Sequence, residues 1–207
     1  MKTLSKLTFI AALLFASNLT YAQEIQTLFN GNKTREHAIG GYGAISNKFT
    51  RINGSFASMG GIYGGVYINH ALTIGLSGTA LNNNLRVPEQ YSKAPSKSMS
   101  YFYGQVGLFT EYVLASSKTV HVAAQLTAGP GVVAQYNRLE IDDDKYYGSN
   151  VFTVVEPGIN AEVNLFKWMR LTAGVSYRQT FNSKVPGMSD KNLSGMTMAF
   201  GLKFGKF

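Results

Sequence analysis

From Met196 to Gly205 the chain alternates without a break. Met196, Met198, Phe200, Leu202 and Phe204 fall on one parity, and Thr197, Ala199, Gly201, Lys203 and Gly205 on the other. Successive side chains of a β-strand project to opposite faces, so this stretch specifies a strand with one wholly apolar face and one small or polar face. The last residue, Phe207, stands one position out of phase with Phe204.

The same period recurs along the chain. Eight strand-like segments run roughly 36–46, 55–68, 72–82, 99–114, 120–136, 151–165, 169–181 and 194–206. No stretch of about twenty apolar residues is present, which excludes a spanning helix. The connections alternate in length. Asn69-His70-Ala71, Ala115-Ser116-Ser117-Lys118-Thr119 and Phe166-Lys167-Trp168 are short, whereas Asn47–Gly54, Asn83–Ser98, Asn137–Asn150 and Asn182–Leu193 are polar and mostly longer. Eight strands with short turns at one end and longer loops at the other predict an all-β, antiparallel, up-and-down barrel of the outer-membrane kind, short turns on the periplasmic side.

The first residues fit an exported chain. Lys2 and Lys6 precede an apolar core, Leu7 to Ala16, and Thr20-Tyr21-Ala22-Gln23 follows. A short basic region, about ten apolar residues and a small residue before the cut describe a signal peptide over 1–22. Residues 23–35 would then form an N-terminal periplasmic segment, either a free tail or an inner plug, and 36–207 the barrel. There are no cysteines, so neither a lipid anchor nor a disulfide framework is expected.

Composition agrees. Charged residues make up only 14% of the chain, against about 25% in ordinary soluble domains, and there are 22 glycines, 12 tyrosines and 13 phenylalanines. Removing Lys2 and Lys6 from the 19 basic residues leaves 17 against 11 acidic, a net charge of +6. For an exported chain, this moderate excess points to anionic lipid rather than nucleic acid.

Parity assigns the faces of the later segments. Val155, Pro157, Ile159, Ala161, Val163 and Leu165 oppose Glu156, Gly158, Asn160, Glu162 and Asn164. Leu171, Ala173, Val175, Tyr177 and Phe181 oppose Arg170, Thr172, Gly174, Ser176, Arg178 and Thr180. His121, Ala123, Gln125, Thr127, Gly129 and Gln135 oppose Val120, Val122, Ala124, Leu126, Ala128, Val132 and Ala134, and Gln105 and Glu111 oppose Val106, Leu108, Tyr112 and Leu114. The glycine-rich first two segments leave their faces open. A soluble barrel of lipocalin type would wear a polar face dense in Lys, Glu and Asp. Here that face is mainly Gly, Ser, Thr, Asn and Gln with isolated charges of both signs, which suits the inside of a narrow tube.

Gly40-Gly41-Tyr42-Gly43, Ile52-Asn53-Gly54, Gly60 to His70, Val155-Glu156-Pro157-Gly158-Ile159-Asn160 and the closing Lys203-Phe204-Gly205-Lys206-Phe207 resemble small exported barrel proteins of the Bacteroidetes type. Most of that group has no assigned activity. The resemblance spans nearly the whole mature chain, implies a fold and a compartment, and transfers no catalytic residue.

The candidate site is an interior polar cluster of Glu111, Glu156, Glu162, Arg170 and Arg178, with Lys203 a candidate sixth member, pairing across the lumen. Its expected role is structural, because an eight-stranded barrel is just wide enough for side chains; a gated ion path is the rival reading. His37, His70 and His121 are candidates for histidine chemistry of the lipid A deacylase or palmitoyltransferase kind, but no Ser/His/acid spacing here resembles either motif. Asp142-Asp143-Asp144 with Glu140 reads as a solvated acidic loop without calcium-loop spacing. Arg86, Lys93 and Lys97 form a basic loop able to meet lipopolysaccharide phosphates. Tyr101, Phe102, Tyr103, Tyr146, Tyr147 and Phe152 at one end, and Phe166 and Trp168 at the other, read as interfacial girdles. The expected function is non-enzymatic, structural or loop-mediated binding in the envelope. No cofactor, metal or nucleic acid is expected. Expected partners are outer-membrane lipid, lipopolysaccharide and, during biogenesis, the barrel-assembly machinery, with the partner of the loops unidentified.

Overall fold

A computed structural model describes residues 27–28, 39–69, 71–139 and 146–207. The signal peptide, most of 23–35, His37, His70, Glu140 and Asp142-Asp143-Asp144 lie outside the described residues. Of the N-terminal segment, Leu28 is exposed, and its main-chain N–H donates to the Asn164 carbonyl at 3.1 Å.

Eight long strands form the wall: β1 Ile39–Ile52, β2 Ser55–Ile68, β3 Leu72–Leu81, β4 Met99–Leu114, β5 Val120–Asn137, β6 Tyr146–Phe166, β7 Met169–Phe181 and β8 Gly195–Lys206. Each pairs antiparallel with its sequence neighbour, and β1 pairs with β8 to close the ring. Closure leaves no free edge for another chain to add to. The ladder runs from Phe49 through Met198, Val175, Ile159, Ala124, Tyr112, Leu72 and Ile68 to Ile39, so one circuit returns to β1 ten residues away. With eight strands, that stagger sets a strand tilt of about 40° and an interior filled by side chains.

The first connection departs from the sequence expectation. The polar stretch Asn47–Gly54 is not a loop: β1 runs on to Ile52, and Asn53-Gly54 alone turns the chain into β2. Both turn residues have positive φ, 49° and 76°, as a two-residue hairpin turn of the Asn-Gly kind requires. Mixed polarity hid the strand, because Lys48 and Thr50 point inward while Asn47 and Arg51 point outward. β6 likewise begins at Tyr146, ahead of its expected start near Val151. The other connections keep the alternation, with long ones at 82–98 and 182–194 and short ones at 69–71, 115–119 and 167–168.

The structure also settles the glycine-rich faces. Tyr42, Ala44, Ser46, Lys48 and Thr50 of β1 and Ala57, Met59, Gly61, Tyr63 and Tyr67 of β2 face inward. Ile45, Phe49, Phe56, Ile62 and Val66 face outward. A side chain at Gly65 or Gly75 would strike the backbone of the paired strand at 2.2 Å or closer, so the close approach of β2 and β3 where these two residues pair requires glycine at both. Pro157 points outward on β6, and the β6–β7 ladder passes from Val155 to Gly158 without pairing Glu156 or Pro157, which accommodates the missing N–H.

The outer wall carries large apolar side chains throughout, with Ile62 and Leu76 each 67% exposed and Leu108 69%. Such a continuous apolar belt is anomalous in water and ordinary in lipid. At the short-turn end Phe166, Trp168 and Phe204 stack in a row, with ring centroids 5.5 and 6.2 Å apart. At the loop end Phe102 and Tyr146 meet edge-on on the outside, at 5.9 Å. Tyr101, Tyr103 and Phe152, expected in the same girdle, are instead buried inside. They sit on the inward parity, so the expectation from aromatic content alone was wrong for them.

Candidate functional site

The inward parity of the eight strands places the interior side chains in three tiers. At the short-turn end, Lys203 of β8 bridges two carboxylates. Its ammonium donates to both oxygens of Glu111 at 2.6 Å and to Glu162, and all three side chains are fully buried. The Tyr42 hydroxyl donates to Glu111 at 2.8 Å. Glu162 also faces His121 Nε2 at 3.1 Å and the Arg170 guanidinium at 3.6 Å. Lys203 and Arg170 stand directly opposite on paired strands, a repulsive placement on its own; Glu162, in contact with both, compensates it.

The chain's last residue completes this tier. Phe207 turns inward against Tyr42 and Tyr67, and the Arg170 guanidinium lies 3.9 Å above its ring centroid. The phase slip seen in the sequence thus has a structural meaning: the terminal aromatic closes the inside of the tube rather than joining the outer belt.

The middle tier is smaller and polar. Glu156 receives Lys48 Nζ at 2.8 Å, Ser176 Oγ at 2.6 Å and Gln105 Nε2 at 3.0 Å. Tyr103 donates to Gln105 in turn. Between this network and the lower tier, Ser77, Thr79, Gln125, Thr127, Asn160 and Thr172 surround a void of about 20 Å³. That is room for about one water molecule.

The loop-end tier is apolar. Ile52, Met59, Tyr101, Tyr103, Val133, Phe152 and Val154 from the strands pack with Leu85, Val185, Met188 and Leu193, which the long loops fold into the mouth. The Leu85–Arg86 strand fragment pairs with β4, the Lys184–Val185 and Met188–Ser189 fragments form a small hairpin, and a one-turn helix, α1 Asp190–Leu193, follows. Gln135 ties the 82–98 loop down from inside, accepting from Lys93 N at 2.9 Å and donating to the Tyr91 carbonyl at 2.8 Å.

Arg178 sits within this apolar tier. It was expected to join the glutamates, yet its Nε donates to the Leu193 carbonyl at 2.7 Å and its guanidinium lies 5.2 Å from the Tyr103 ring centroid. One of its terminal nitrogens has no hydrogen-bond partner among the described residues. Glu156 pairs with Lys48 rather than with an arginine. Of the five cluster residues, the fold therefore brings Glu111, Glu162 and Arg170 into one network through Lys203 and leaves Glu156 and Arg178 in separate tiers. Lys48 was missed because its segment read as a loop; its shared parity with Tyr42, Ala44, Ser46 and Thr50 was the available signal.

Among the described residues, His121 has no nucleophile beside it. Its Nδ1 contacts the Lys118 carbonyl at 3.1 Å and its Nε2 contacts Glu162, so neither nitrogen faces a hydroxyl. Among the described residues no group of three His, Asp or Glu side chains is placed to hold a metal ion. Arg86 and Lys93 of the basic loop are partly or fully open to solvent, and the Lys97 N–H bonds back to the Ala94 carbonyl at 2.9 Å.

No family model matches the chain, and no curated protein matches it. Solved structures do. Neisserial surface protein A superposes with a TM-score of 0.54 at 16% identity, covering 83% of this chain and 98% of that one. A major outer membrane protein from Thermus thermophilus gives 0.51 at 12%, covering 82% and 100%. The attachment invasion locus protein of Yersinia pestis, solved with the heparin analogue sucrose octasulfate, gives 0.50 at 11%, covering 81% and 97%. At these identities the likeness carries the fold: this chain is an eight-stranded antiparallel barrel of the kind found in small outer-membrane proteins.

Proposed function

We propose that this protein is a closed, non-enzymatic barrel of the Gram-negative outer membrane, of the Bacteroidetes type, that works through its outward loops as a binding or envelope-supporting element. The observation that carries the reading is the filled interior beneath an apolar outer wall. An ionic tier, a polar tier with space for a single water and an apolar tier capped by folded loops leave no lumen for solute among the described residues. Function then falls to the surfaces that remain, which are the belt and the loop end. Lipopolysaccharide and outer-membrane lipid are the expected contacts of those surfaces, and the barrel-assembly machinery is the expected partner during insertion.

The experiment is fractionation of the native cell, gel electrophoresis with and without boiling, and planar-bilayer recording of the refolded protein. Recovery in the outer membrane, migration that shifts on boiling and a silent bilayer are expected. A soluble monomer without detergent would overturn the membrane reading, and stable conductance in the tens of picosiemens would overturn the closed interior. Deletion of the gene is expected to leave the lipid A mass profile unchanged; an altered profile would favour a lipid-modifying enzyme.

A further inference from the structure

One stretch of the outer wall differs from the rest of the belt. Between the Asn53-Gly54 turn and α1 lies a groove of about 550 Å³, within the size range of small-ligand sites. Its upper part carries Arg51, outward on β1, and Lys191, exposed on α1. Neither has a carboxylate partner among the described residues. The nearest acid in sequence to Lys191, Asp190, is taken by the main-chain N–H groups of Asn182 at 3.0 Å and Ser183 at 2.7 Å. The lower part is apolar. Phe49 stacks on Phe56 with centroids 6.1 Å apart, and Met196 and Met198 are each 61% exposed.

The groove is held in shape. Asn53 N donates to the Asn192 carbonyl at 2.9 Å, joining the turn to α1, and Thr50 Oγ1 donates to the Met196 carbonyl at 2.7 Å, joining β1 to β8. The two cations therefore sit on braced elements at the loop-side edge of the belt. A second hollow, of about 750 Å³ beside Gly60, Gly78, Gly104 and Pro130, has no charged residue in its lining and offers nothing to a headgroup.

We propose that the Arg51–Lys191 groove seats one phosphate-bearing anionic lipid, its phosphate between the two cations and an acyl chain along Phe49, Met196 and Met198. Two cations without carboxylate partners among the described residues, above an apolar trough, match the two halves of such a lipid. At the interface, cations attract anionic headgroups, and an arginine meets phosphate oxygens in a forked geometry. Methionine side chains adapt to a chain of irregular shape. The proposal rests on the membrane reading above.

The test refolds the mature chain into nanodiscs of phosphatidylcholine with a minor fraction of phosphatidylglycerol and reads the lipids retained on the protein by native mass spectrometry. Phosphatidylglycerol is expected to be enriched about tenfold over its bulk share. R51S/K191S, at two exposed positions, is expected to remove that enrichment while keeping the boiling-dependent gel shift. K118S/K206S, equal in charge change but at two exposed positions of the short-turn end, outside the groove, is expected to keep it. M198W, which fills the trough and spares both cations, is expected to reduce it. No enrichment in the native chain, equal enrichment in R51S/K191S, loss in K118S/K206S or no effect of M198W would each overturn the proposal. Failure to insert into the disc at all would instead overturn the membrane reading.

Discussion

The two ends of the same tube are filled by opposite chemistry. At the short-turn end, charges of both signs are buried together: Lys203 between Glu111 and Glu162, with Arg170 and His121 on Glu162. At the loop end the filling is Met59, Tyr103, Phe152, Val154 and Leu193 around a single arginine, Arg178, which has a carbonyl, a ring and the Met59 sulfur for company. The strands, their tilt and their inward parity are common to both ends. What differs is the supply of chain. The turns at 69–71, 115–119 and 167–168 are too short to fold inward, so strand side chains must fill that end. Long lysine, arginine and glutamate side chains span it, and they are tolerable there because they neutralise one another. The loops at 82–98 and 182–194 have residues to spare and lay Leu85, Val185, Met188 and Leu193 into the mouth.

The contrast makes unequal mutational effects the central expectation. Lys203→Met leaves two carboxylates buried without their shared cation and is expected to cost about 3–5 kcal/mol, read as a lower urea midpoint for the refolded barrel. Adding Glu111→Leu should recover at least half of that loss, since Glu162 keeps Arg170 and His121. A double variant no better than the single one would break the pairing account of that end.

Leu193→Ala empties part of the apolar cap and is expected to weaken loop docking by about 2–3 kcal/mol. Cleavage by added protease within 182–194 should accelerate, while the urea midpoint of the barrel moves less than in Lys203→Met. Equal movement of both would mean that cap and wall unfold as one unit.

Arg178→Met should have the smallest effect, about 1 kcal/mol, because losing its charge-assisted hydrogen bond to the Leu193 carbonyl is offset by no longer burying a charge without a carboxylate partner among the described residues. An arginine that, among the described residues, has one terminal nitrogen unpartnered and no carboxylate to abandon has little to lose in an apolar tier. A loss as large as that of Lys203→Met would erase the distinction between the two ends.

The parts of this architecture that were legible in advance follow from a simple rule. Period-two alternation assigned inside and outside for most of β4 to β8, and short and long connections ordered the strands into a ring. The rule stopped working where polarity no longer marked the face. β1 and β2 carry Tyr42, Tyr63 and Tyr67 inward and Asn47 and Arg51 outward, so neither face reads as polar or apolar, and Lys48 was lost with the end of β1. The inward aromatics Tyr101, Tyr103 and Phe152 escaped for the same reason.

Partners inside the tube were decided by tertiary structure alone. Parity says that Glu156, Glu162, Arg170 and Arg178 share a lumen. It does not say at which height each one sits, because height follows from a stagger of ten residues accumulated around eight pairings. That stagger sets Lys203 of β8 against Glu111 of β4, on the far side of the ring, and lifts Arg178 into the apolar tier under Leu193. Local alternation is a property of two neighbouring residues and survives in the sequence. Contacts across a closed ring depend on every register between them, and only the folded chain contains that sum.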